Sequence, residues 1–167
     1  AIPAPLTERL IYTLYTPSAL MRQRKETVEF YEMLRDEVKE RVAKGIAALP
    51  TERCRLLFDN PPPWFNLNLM RYIESYGCAL VGSFYTLTLG GAVSDLADGT
   101  FIATPTPQEQ GMPLRTRDDL LRAFAIWELE NPFCIRLAGG QLRKKIDQVL
   151  RMVKQWYGDG MVMHINR

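Results

Sequence analysis

The chain has 167 residues, 47% of them apolar and 24% charged, and carries a formal net charge of +2. That suits one domain with a real core, is too weakly charged to argue for a nucleic-acid or membrane-surface partner, and includes no apolar run near the roughly 18 residues of a membrane span. Three scattered cysteines (Cys54, Cys78 and Cys134) argue against a disulfide framework and against a self-contained zinc site, and without a signal-peptide pattern at Ala1-Ile-Pro-Ala-Pro5 the expected location is the cytoplasm.

The first fifty residues read as helical. Thr7 stands where a cap belongs, ahead of a short helix holding Leu10, Ile11 and Leu14 that Pro17 ends. A longer helix from about Ser18 to Lys44 carries Val28, Tyr31, Met33 or Leu34, Val38 and Val42 at three- and four-residue steps, with charges between them. Gly45 is its stop. Residues 1–50 are therefore expected to form an N-terminal helical arm, packed on the domain or on another subunit.

From residue 51 the texture changes. Arg53 to Asp59, with the run Leu56-Leu57-Phe58, reads as a strand covered on both faces. Pro61-Pro62-Pro63-Trp64 follows as a rigid apolar loop. Phe65 to Tyr76 places Leu69, Met70, Ile73 and Tyr76 on one helical face, with Gly77 as its cap. Cys78 to Phe84 is a second buried strand, and strand–helix–strand over about thirty residues is a βαβ unit with parallel strands.

Leu87 to Pro113 holds Gly90-Gly91, Gly99, Pro105, Pro107, Gly111 and Pro113, and is expected to be mostly loop. Thr116-Arg-Asp-Asp119 has capping-box spacing and opens a helix with Leu120, Leu121, Phe124 and Leu129, which Asn131-Pro132 ends. Gly139-Gly140 precedes an amphipathic helix carrying Leu142, Ile146, Val149, Leu150, Val153 and Trp156. Gly158-Asp-Gly160 turns the chain into a third strand, Met161 to Ile165. The expected fold class is α/β: a Rossmann- or flavodoxin-like parallel sheet of about four strands flanked by helices, residues 51–167, behind the helical arm. A chain stopping at Arg167, at the carboxyl end of its last strand, is expected to be a fragment of a longer subunit.

Ligands of open α/β sheets sit at the carboxyl ends of the strands, which directs attention to two segments. The triple proline and Trp64 read either as a pre-formed pocket wall or as a favourable helix start with a packed indole. His164, with Asn166 and Arg167, reads either as a hydrogen-bonded core histidine with a polar strand exit or as a crevice-facing cluster. In the second case the imidazole is an acid–base group and the guanidinium an anchor for a carboxylate, thioester or phosphate. No phosphate-binding glycine loop, nucleophile elbow or His-Glu-x-x-His motif occurs. Cys54 and Cys78, at strand starts, read as small buried hydrophobes. Cys134, after Asn-Pro-Phe, is the one considered for metal or redox work.

Three ordered segments, Arg55 to Trp64, Gly77 to Thr86 and Met163 to Arg167, together resemble the benzoyl-CoA reductase and 2-hydroxyacyl-CoA dehydratase family. The resemblance implies an oxygen-sensitive iron–sulfur catalytic subunit acting on an acyl-CoA thioester. It also implies a homologous partner subunit in a heterodimer, a 4Fe-4S cluster in the full-length protein, and a separate ATP-dependent iron–sulfur activator that injects low-potential electrons. Reductases of this family reduce an aromatic ring and dehydratases eliminate water; the form of the tail favours the reductase. Carried over by position, His164 is the catalytic candidate, and Asn60, Pro62, Trp64, Tyr85, Asn166 and Arg167 are the substrate-facing ones. The family's cluster cysteine follows the His-x-Asn-Arg segment, and none of Cys54, Cys78 and Cys134 falls on a ligand position. No metal-ligand role is therefore assigned, and the fragment alone is expected to be cluster-free and inactive. The alternative reading is a non-catalytic α/β module that binds a small ligand or a partner protein.

Overall fold

A computed structural model describes residues 1–59, 61–89, 93–130 and 142–163. The chain divides into two compact units, one of Ala1–Leu87 with Met152–Arg167 and the other of Thr88–Arg151.

The first unit is built on a parallel sheet of β1 (Cys54–Asp59), β2 (Cys78–Ser83) and β5 (Gly160–Met163), in the order β2-β1-β5. Helix α4 (Asn68–Ser75) makes the crossover from β1 to β2, as the strand–helix–strand pattern predicts. The sheet is thus α/β and parallel, with three strands among the described residues where about four were expected. Register runs Cys54 to Cys78 and Leu56 to Leu80, then skips Val81, so that Leu57 meets Gly82 and Phe58 meets Ser83. Phe58 and Leu80 pack with Met70 and with Tyr12 of the N-terminal region, and Leu56, Leu67, Ile73, Tyr85 and Val162 close around them. Gly82 is needed where it stands: a Cβ there would lie 2.4 Å from the Trp156 ring.

Helices α1 (Glu8–Leu14), α2 (Thr16–Leu20) and α3 (Lys25–Lys44) precede the sheet. Pro17 opens α2 instead of merely ending α1, since proline's missing donor costs nothing in a first turn. The single helix expected from Ser18 to Lys44 is two, parted at Met21–Arg24, where the Met21 carbonyl accepts from Thr27 Oγ1 at 2.8 Å. Gly45, at φ 65°, ends α3 as expected. The apolar stripe of α3 lies largely open: Val28, Met33 and Val42 are exposed and only Thr27 is buried. Tyr31 pins this helix by donating to the Leu14 carbonyl at 2.6 Å while accepting from Ser18 N–H at 3.1 Å. Helix α1 lies on the sheet, with Tyr12 in the core and Arg9 paired to Glu74 of α4 at 2.8 Å.

Three further elements depart from the loop expected over Leu87 to Pro113. Helix α5 (Phe84–Leu89) continues directly from β2, and β3 (Val93–Asp95) pairs antiparallel with β4 (Phe101–Ala103). The hairpin of the second unit turns through Gly99, at φ 83°, with Asp98 accepting from Thr100 N–H and Oγ1. That unit also holds α6 (Arg117–Glu130), opened by the expected capping box: Thr116 N–H donates to Asp119 Oδ2 at 2.9 Å, and Asp119 N–H donates to Thr116 Oγ1 at 3.1 Å. On α6, Leu120, Leu121, Phe124 and Leu129 are exposed and Ala123 is buried. Helix α7 (Leu142–Gln155) leads to the turn before β5.

Candidate active site

At the carboxyl ends of β1 and β2 the chain makes two tight turns. After β1, Trp64 N–H donates to the Pro62 carbonyl and Asn66 N–H to the Pro63 carbonyl, both at 2.7 Å. Pro62 and Pro63 are fully buried, whereas Trp64 is 48% exposed. After β2, Ser83 Oγ accepts from Thr86 N–H at 3.0 Å and so holds the first turn of α5, which carries Tyr85. Trp64 and Tyr85 are thereby brought together, with ring centroids 6.3 Å apart.

Helix α1 completes the cluster. Tyr12 lies 5.9 Å from Trp64 and 6.3 Å from Tyr85, and Tyr15 lies 6.3 Å from Trp64 and 6.1 Å from Tyr85, mostly edge to face. Such pairs favour one another beyond their buried area. Four rings therefore wall the strand ends, with Trp64 on the open side. Burial, helped by Tyr15, pushes the Tyr85 hydroxyl up to about 12, so it remains a neutral donor at physiological pH.

Beneath the rings sits an acid. Glu8 is fully buried on α1, and one oxygen, Oε1, accepts from Ser83 Oγ and from Thr86 Oγ1, each at 2.6 Å. Its other oxygen, Oε2, has no hydrogen-bond partner among the described residues, and neither has Thr7 Oγ1 or the Tyr12 hydroxyl. Tyr12 stands close to Glu8 without an aligned hydrogen bond. Burial raises the Glu8 carboxyl to about 7 although both hydroxyls pull the other way. Burial and the Glu8 charge together raise the Tyr12 phenol. The result is a carboxyl that gains and loses a proton near neutrality, in a water-poor aromatic setting, which is the property an acid–base group needs.

Of the residues singled out in the sequence, Pro62, Trp64 and Tyr85 lie at these strand ends. His164, Asn166, Arg167, Asn60 and Cys134 lie outside the described residues. Glu8, Tyr12, Tyr15, Ser83 and Thr86 were not singled out. Glu8 and Tyr12 are four residues apart, and a glutamate spaced one turn from an aromatic that turns inward was the available signal. Leu10, Ile11 and Leu14, the apolar residues noted in this helix, are half-buried, while Glu8 and Tyr12 are its buried ones.

The described residues do not fit an iron–sulfur cluster. Cys54 and Cys78 begin their strands, at the opposite end of the sheet from Trp64 and Tyr85, and no group of three or more His, Cys, Asp or Glu side chains suited to a metal occurs among the described residues.

The 2-hydroxyglutaryl-CoA dehydratase D-component model matches the chain over residues 1–167. The chain belongs to that family. A comparison with curated proteins gives no match. The family description is of one component of a dehydratase, which implies at least one partner component. The family's name also points this D-component family member toward acyl-CoA chemistry. No helix among its described residues is long and apolar enough to cross a membrane.

Proposed function

We propose that this member of the dehydratase D-component family is part of an iron–sulfur catalytic subunit that delivers low-potential electrons to an acyl-CoA thioester, with 2-hydroxyacyl-CoA dehydration as the reaction. The family match over the whole chain carries this reading. The four-ring wall over a buried acid supports it, because a thioester that accepts an electron needs a site shielded from water. In this reading Trp64 and Tyr85 flank the acyl group, Pro62 fixes Trp64, and Asn60, Asn166 and Arg167 hold polar parts of the substrate, with His164 as the acid–base group. A 4Fe-4S cluster belongs to the full-length protein, held by cysteines other than Cys54, Cys78 and Cys134. A homologous partner subunit and an ATP-dependent iron–sulfur activator complete the system, in the cytoplasm.

A second reading, benzoyl-CoA reduction, rests on the form of the Met163-His-Ile-Asn-Arg167 segment. One experiment tests both. The full-length product, purified without oxygen together with its partner and activator, is assayed for iron and acid-labile sulfide and then given a 2-hydroxyacyl-CoA or benzoyl-CoA under ATP. Iron, sulfide and loss of water from the 2-hydroxyacyl-CoA are expected. Turnover of benzoyl-CoA alone selects the second reading, and a preparation free of iron and sulfide overturns both.

A further inference from the structure

Cys54 and Cys78 are the first residues of β1 and β2 and direct partners in the parallel register. Neighbouring strands lie about 4.8 Å apart, inside the roughly 4.4–6.8 Å separation of Cα atoms that a disulfide spans. Partners in register point to the same face of a sheet, so the two thiols stand side by side. They do so closely enough that the Cys78 thiol is the main influence on Cys54, raising it to about 11. Both are free and only half-buried, so a small reagent reaches them. The strand starts are laced together beside them: the Gly77 carbonyl accepts from Arg53 N–H at 2.7 Å and from Cys54 N–H at 3.4 Å. With no third metal-binding side chain grouped there among the described residues, the pair is suited to thiol chemistry.

We propose that Cys54 and Cys78 are a modification site, a cross-strand dithiol that closes to a reversible disulfide on meeting a low-molecular-weight disulfide such as oxidised glutathione. The thiolate of one cysteine attacks a sulfur of the reagent, forming a mixed disulfide and expelling one glutathione thiolate. The second cysteine then attacks the protein sulfur of that mixed disulfide and expels the other. The S–S bond of the reagent breaks and one between Cys54 and Cys78 forms. Two electrons pass from the protein to the reagent, and the two cysteine protons end on the two glutathiones. Directly paired positions on parallel strands hold their Cβ atoms wider than the roughly 3.8 Å a relaxed disulfide prefers. Closure therefore tightens the strand starts, and the bond belongs to the easily reduced, labile class.

Peptide mapping without reductant tests the proposal. The full chain is treated with oxidised glutathione, blocked with iodoacetamide and digested with trypsin, which leaves Cys54 on Cys54-Arg55 and Cys78 on Tyr72–Arg115. The linked pair of these peptides is expected, with loss of two thiols per chain and full recovery on adding dithiothreitol. The Cys54→Ser variant is expected to carry a glutathione adduct on Cys78 and no link, and chains unfolded in urea to lose the preference for this pairing. Stable glutathione adducts on Cys54 or Cys78 without linkage in the unaltered chain overturn the proposal. So do two unreacted thiols, or a link joining different chains.

Discussion

At the amino end of the parallel sheet, Arg55 is a buried cation with each of its three nitrogens engaged. Nε and Nη2 donate to the Trp156 carbonyl at 3.1 Å, Nη2 donates also to the Ala1 carbonyl at 3.1 Å, and Nη1 pairs with Glu52. Its backbone is held as firmly, by a reciprocal pair of 2.8 Å bonds with Asp159. At the carboxyl end, Glu8 is a buried acid with one oxygen doubly hydrogen-bonded, while its other oxygen and the Thr7 and Tyr12 hydroxyls have no hydrogen-bond partner among the described residues. Among the described residues, the same sheet thus ends in a satisfied network on one side and an unsatisfied one on the other. Leaving a buried polar atom unpaired costs about 1–3 kcal/mol, and such exceptions concentrate where a fold does chemistry. The amino end holds the structure together; the carboxyl end holds potential for reaction.

Mutations sharpen this contrast. Arg55→Met removes the cation paired with Glu52 and the donors to the Trp156 and Ala1 carbonyls, and should lower stability by about 3–5 kcal/mol, the usual loss when one partner of a buried pair is removed; urea unfolding reads it. Next comes the pH dependence of Glu8. Its carboxyl is near 4.5 when unfolded and about 7 when folded, so between those values the folded chain binds more protons. Stability is therefore highest below about 4.5, falls as pH rises through that window, and levels off above about 7. The loss is on the order of 3 kcal/mol, and Glu8→Gln should remove that slope in unfolding measured from pH 5 to 8. A variant that keeps the slope would transfer it to another group.

Ser83→Ala removes one of the two donors to Glu8 and the bond from Thr86 N–H. It should cost about 1–3 kcal/mol and carry the Glu8 titration higher still, read by the same pH series. The smallest effect is expected for Val28→Glu on the open face of α3, where Val28 is exposed. A change within about 0.5 kcal/mol is the rule for such sites, and a larger one would show that this face is covered.

Much of the first unit was legible because its signals are local. The Leu56-Leu57-Phe58 run, the triple proline, and the glycines at 45 and 77 mark β1, its exit and two helix ends without reference to anything distant. The Thr116–Asp119 capping box is of the same kind. Glu8, Ser83 and Thr86 were missed because their bonds join residues more than seventy positions apart, and nothing in either segment alone announces the other. The stripe on α3 is the converse case, with Val28, Met33 and Val42 exposed and Tyr31, Leu34 and Val38 half-buried. A three-four spacing states that a face is suited to burial, and only the packing decides whether anything lies against it.

One skipped residue has the last word on the site. Strand side chains alternate between faces, so two positions three apart, such as Leu80 and Ser83, belong on opposite sides of a regular strand. In β2 the register passes over Val81, and that single extra residue resets the count. Leu80 joins Tyr12 in the core while Ser83 reaches Glu8 on the same helix. The reach of Ser83 toward the acid is therefore a matter of parity. Deleting one residue between Leu80 and Ser83 would remove the bulge and leave the hydroxyl on the side of the acid, whereas adding one would send it to the wrong side of the sheet.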